Sequence, residues 1–131
     1  MDAGLCGFSI QRLGEHSTQA DYDGSPMVTD TMCDQDILAL AEVLAERDEG
    51  FIQITQFTGN MKEDLKFQEK LAAVSGRPVL HNVVPVSPKV ARIHEKRIAW
   101  LESNQREGRR IFGQGGTIRT CLLYTSPSPR D

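Results

Sequence analysis

The stretch Phe51–Val84, FIQITQFTGNMKEDLKFQEKLAAVSGRPVLHNVV, decides the fold. It opens on FIQIT, a short apolar run whose residue types suit a pleated strand. A polar break follows, and then a charged segment sets Phe67, Leu71 and Val74 at helical spacing. The spacing predicts a helix starting near Asn60 and ending at Gly76. RPVLHNVV then reads as a second strand. Strand, helix and strand with such short joints make a βαβ unit, in which two parallel strands are linked by a right-handed crossover.

The same scheme extends in both directions. CDQDILALAEVLAERDEG, residues 33–50, sets Ile37, Leu40, Ala41 and Leu44 at i, i+3, i+4 and i+7. Asp34 and Asp36 fall in its first turn, at the positive end of the helix dipole, and Gly50 suits the left-handed position after its end. SPKVARIHEKRIAWLESNQREG, residues 87–108, predicts a third helix with Ser87 as N-cap and Pro88 at its first position. Its apolar face is read as Val90, Ile93, Ile98 and Leu101, and Gly108 ends it. GFSI before the first helix and RRIFG after the third supply the outer strands. The expectation is an α/β chain with strands at 7–11, 51–55, 79–84 and 110–113, parallel and adjacent in chain order. Parallel strands need cover on both faces or closure into a barrel, so these units read as part of a larger architecture.

Composition narrows the function classes. Of 131 residues, 39% are apolar and 25% charged, as in an ordinary globular chain, and length alone allows one domain. A net charge of −3 with Lys and Arg interleaved among Asp and Glu gives no basic face for nucleic acid. No apolar run reaches the roughly 18 residues of a membrane span, and MDAGLCGFSI lacks the basic and apolar regions of a signal peptide. Cys6, Cys33 and Cys121 show no CxxC spacing, which points away from a disulfide framework and toward a reducing, cytoplasmic setting.

In parallel α/β folds ligands bind at the carboxyl ends of strands. Those ends carry Gln11 and Arg12, then Gln53, Thr55 and Gln56, then His81 and Asn82, and finally Gln114. Four consecutive strand ends offering amides and hydroxyls mark a polar site, with Gln53, Thr55, Asn82 and Gln114 as the substrate-binding candidates. Of the three histidines, His16 lies in a loop and His94 in a helix; only His81 sits near the end of a strand, so it is the candidate metal ligand. No HxH, HExxH or paired Cys/His spacing accompanies it. DYDG at residues 21–24 reads as turn chemistry rather than a calcium loop. GQGG at 113–116 lacks the spacing of a phosphate cradle, and no GxSxG elbow occurs. No catalytic residue is assigned.

Taken together, GFSIQRLGEHSTQADYDGSPMVTDTMCDQDILALAEVL, DEGFIQITQFTG, SGRPVLHNVV and RRIFGQG resemble the amidohydrolase family that includes the N-acyl-D-amino-acid deacylases, over about residues 4–118. The resemblance implies a fragment, about four βα units, of a (β/α)8 TIM barrel. It also implies a metal-dependent, zinc-containing parent enzyme that hydrolyses the amide C–N bond of an N-acylated D-amino acid or related small molecule. The metal-binding HxH of the first barrel strand would lie upstream, and the strand bearing the catalytic aspartate downstream. This chain departs from the family at two strand ends. Where members carry a histidine after the strand matching FIQITQ, it has Gln53, Ile54 and Thr55; in PVLHNVV, Val83 takes the histidine's place and His81 stands two residues earlier. Two other readings stand beside this one: a non-catalytic or metal-independent barrel of the same ancestry, and a small doubly wound binding module, which requires a strand order with a switch point.

Residues 121–131, CLLYTSPSPRD, break from everything before them. They resemble the translation of a transposon-derived adapter used in sequencing libraries, so they are expected to be a non-native tail that packs against nothing specific. Residues 1–120 are then the partial barrel, the natural chain is expected to run on beyond Thr120, and Met1 is not fixed as its start. Alone, such an arc is expected to have no amidase activity and no tight zinc site, with inward apolar residues such as Ile52, Ile54, Leu80 and Val83 partly uncovered.

Overall fold

The computed structural model describes residues 3–15, 17, 19–84, 86 and 92–115. Four strands, β1 (Gly7–Arg12), β2 (Phe51–Gln56), β3 (Val79–Val84) and β4 (Ile111–Gly115), alternate with three helices, α1 (Asp34–Arg47), α2 (Met61–Ser75) and α3 (Ile93–Arg106). The strands form one sheet in the order β1-β2-β3-β4, and every pairing is parallel. The order never reverses, so the switch point of a doubly wound sheet does not occur among the described strands. No helix among the described residues is long and apolar enough to cross a membrane.

The helices form where the sequence expects them, with three differences. Asn60 caps α2 by accepting from the Glu63 N–H, and Gly76 closes it in the left-handed region at φ 60°, its N–H donating to the Ala72 carbonyl. In α1 the left-handed residue that ends the helix is Asp48 (φ 49°), not Gly50; the glycine has positive φ two residues later, at the entry to β2. Leu40 of the expected α1 stripe is exposed, because the sheet takes only the narrow row Ile37, Ala41 and Leu44. The third difference is in α3, which begins at Ile93 behind Arg92 in the left-handed region (φ 59°) and not at Pro88. Ile98 lies outside the contact, and the helix turns Arg97, Trp100, Leu101 and Asn104 toward the rest of the fold. Half of that stripe is polar, so a search for apolar letters finds Leu101 but takes Ile98 in place of Arg97 and Asn104. The expected cap at Ser87 and Pro88, with Val90, lies outside the described residues, as does the 121–131 tail.

Register assigns each strand residue to a face. Phe8, Ile10 and Arg12 of β1 share a side with Ile52, Ile54 and Gln56 of β2, with Val79 and His81 of β3, and with Ile111 and Gly113 of β4. This is the side the helices cover. Ile10, Ile52, Ile54, Val79 and Ile111 form one cluster with Ile37, Ala41, Leu44, Phe67 and Leu71 from α1 and α2, while Trp100 and Leu101 of α3 pack against it. Each fully buried aliphatic side chain here contributes about 1.5–3 kcal/mol. Ile52 and Ile54 are therefore sealed under the helices and not left uncovered on an inward face. Of the four residues expected to be partly uncovered, only Leu80 and Val83 are half-buried. Gly113 permits the α3 contact: a Cβ there would sit 2.6 Å from Cδ1 of Leu101.

The opposite face carries Ser9, Gln11, Phe51, Gln53, Thr55, Leu80, Asn82, Phe112 and Gln114. No described helix covers it, and Phe112 is 45% exposed.

Candidate polar site at the strand ends

At the carboxyl ends of the strands, the uncovered face presents one polar row. Gln11 is level with Thr55, Thr55 with Asn82, and Asn82 with Gln114. Parallel pairing brings these together because residues in register on neighbouring parallel strands project from the same face. The Asn82 amide donates to the Thr55 hydroxyl at 2.8 Å, which fixes both side chains. Gln114 is exposed, and Gln53 lies one level lower, between Ser9 and Leu80. The structure thus places Thr55, Asn82 and Gln114 of the sequence candidates side by side and sets Gln53 on the same face below them.

Sequence reasoning missed what holds the first member of the row. Asp30, 1% exposed, accepts the Leu13 N–H at 2.8 Å and lies 3.4 Å from the Gln11 amide nitrogen, which also donates to Gln19 at 2.9 Å. The Gly14 N–H donates to the Asp30 carbonyl, so one residue ties the end of the long loop to the end of β1. Asp30 pairs with backbone 17 positions away, and no local motif marks it. Asp21 and Asp23, by contrast, follow the turn reading. Asp23 accepts from the Ser25 hydroxyl and N–H, bonds that lower its pKa from the ordinary carboxylate value.

His81 lies on the other side of the sheet. Its ring is 1% exposed, and Nδ1 is 2.8 Å from the carbonyl oxygen of the Gln68 side chain, while Nε2 is 2.9 Å from a guanidinium nitrogen of Arg97. Gln68 offers an acceptor there and Arg97 has only donors, so the ring is neutral with its proton on Nδ1. Trp100 stands edge-on to it with centroids 5.4 Å apart. Burial, and then the Arg97 charge, push the His81 pKa down from 6.5 to about 4. Arg97 also donates to the Val83 carbonyl at 2.6 Å; burial lowers its pKa too, and the Asp64 charge opposes that shift. A metal at either ring nitrogen would have to displace Gln68 or Arg97. Among the described residues, no three His, Cys, Asp or Glu side chains converge as a metal-holding group.

The chain matches no protein-family model, no curated protein and no solved structure.

Proposed function

We propose that this chain is a four-strand arc of a (β/α)8 barrel of the amidohydrolase type, whose parent hydrolyses the amide bond of an N-acylated amino acid such as an N-acyl-D-amino acid. The observation that supports it is the row Gln11, Thr55, Asn82 and Gln114 on the helix-free face, at the carboxyl ends of parallel strands laid side by side in chain order. In barrels that face is the interior and that end carries the site. Carboxamides both donate and accept, and so does a hydroxyl; the row therefore suits a substrate with an amide N–H, an amide carbonyl and a carboxylate. Its part is to bind and orient. The zinc that the resemblance implies does not fit the described residues, since His81 faces the helices with both nitrogens engaged.

That same placement of His81 favours a second reading, a barrel of this ancestry that works without metal. Both are tested on the full-length protein that carries this segment, with N-acetyl-D-amino acids as substrates. Asn82→Ala is expected to lower kcat/KM by about tenfold or more, the loss of one substrate hydrogen bond in a dry site. Zinc content and activity are expected to survive His81→Gln. Turnover untouched by a chelator selects the second reading; turnover untouched by changes at Thr55, Asn82 and Gln114 removes the row from the site.

A further inference from the structure

A crevice of about 270 Å³ opens on the helix-covered side, where the ends of β1 and β2 meet the first turns of α2 and the start of α1. Gln56 and Asp64, 5% and 4% exposed, are the buried polar groups of its lining. Arg12 lies over the Phe67 ring, 5.1 Å from its centroid. The remaining lining is charged and balanced: Arg12, Lys66 and Lys70 against Asp34, Glu63 and Asp64.

The internal bonds show which groups are spoken for. Arg12 holds Asp34 at 2.6 Å. Asp64 accepts from the Thr58 N–H at 3.0 Å and the Thr58 hydroxyl at 2.6 Å. Lys66 reaches Glu63 only at 3.5 Å, on the helix surface. Gln56 accepts from Gln68 through its carbonyl oxygen, but its amide nitrogen has no hydrogen-bond partner among the described residues. The Lys70 ammonium likewise has no carboxylate partner among them. Two donors, one cationic, are thus left beside two carboxylates, Asp34 and Glu63, that are more than half exposed and keep free lone pairs.

We propose that this crevice binds a free zwitterionic α-amino acid, its carboxylate on Lys70 and the Gln56 amide nitrogen, its ammonium between Asp34 and Glu63. A lining of zero net charge favours a ligand of zero net charge with separated poles, because each pole meets an opposite charge and the cleft stays neutral with the ligand in it. The small volume selects a short side chain. This assignment does not rest on the hydrolase reading, since the crevice and the Thr55–Asn82–Gln114 row lie on opposite faces of the sheet.

The test uses the 131-residue chain, labelled with ¹⁵N and titrated with D-alanine, L-alanine, N-acetylalanine, alanine methyl ester and acetate. Free alanine is expected to shift the amides of Asp34, Thr58 and Lys70 saturably, with a Kd on the order of 1 mM for so few contacts. The blocked forms and acetate are expected to bind at least about tenfold more weakly, since each lacks one charged hydrogen-bonding pole. Lys70→Ala, a change at an exposed site, is expected to cost a similar factor with the circular dichroism spectrum unchanged. No saturable shift would overturn the assignment. So would equal binding of acetate or N-acetylalanine, or shifts centred on Gln53, Thr55 and Asn82. Failure of the amide-hydrolysis assay leaves the alanine shifts as a separate readout.

Discussion

Acidification should destabilise this fold through His81, by an amount that the buried site sets. In the unfolded chain the imidazole takes up a proton near its ordinary pKa of 6.5, and in the folded chain near about 4. A proton on Nε2 would set two donors against each other where Arg97 now donates, next to a guanidinium charge. The folded pKa is depressed, so the unfolded state binds the proton more readily. The stabilising contribution is complete above about pH 6.5 and falls away as pH drops toward about 4. The full difference corresponds to about 3 kcal/mol, and about 2.5 kcal/mol of it is lost between about pH 7.5 and pH 4.5. Urea unfolding of the wild type and of His81→Gln across that range separates this contribution from carboxylate titration, which both chains share. The stability gap between them should narrow by about that amount at the acid end. An NMR titration reads the same quantity directly: the His81 ring should hold its neutral chemical shifts down to about pH 5. Parallel pH profiles, or a ring that titrates near its ordinary value, would refute the reasoning.

Gly7→Ala should prevent the β1–β2 pairing or shift its register. A Cβ there would sit 2.0 Å from the Phe51 carbonyl oxygen, and φ is 150°, so the expected loss is above about 3 kcal/mol and visible as a lowered midpoint in thermal unfolding. Asp64→Ala strands the Thr58 N–H and hydroxyl that now point at the carboxylate, and should cost about 1–3 kcal/mol in urea unfolding. Leu71→Ala removes a fully buried side chain from the α2 face of the core, with an expected loss of about 2–5 kcal/mol in the same assay.

The sequence by itself determined the element order, the parallel sheet and its chain-order layout. These follow from local signals: period-2 and period-3.6 hydrophobicity, an asparagine before α2, a glycine after it, and the short joints that force a crossover. It also marked Thr55, Asn82 and Gln114 as a set, because position at a strand end is readable once the strands are. Which face each strand residue takes was decided only by the tertiary structure. FIQITQ alternates apolar and polar residues, which allows Ile52 and Ile54 to line a barrel interior or to meet the helices; the packing of α1 and α2 selects the second. That choice puts His81 with the isoleucines and away from the amide row. Its partners, Gln68 and Arg97, are polar letters at positions 13 and 16 residues away, and no periodicity reports a buried hydrogen bond between elements. The burial of Asp30, Asp64 and Asn104 was invisible for the same reason. A polar residue is buried when a partner far along the chain satisfies it, and only the folded chain supplies that partner.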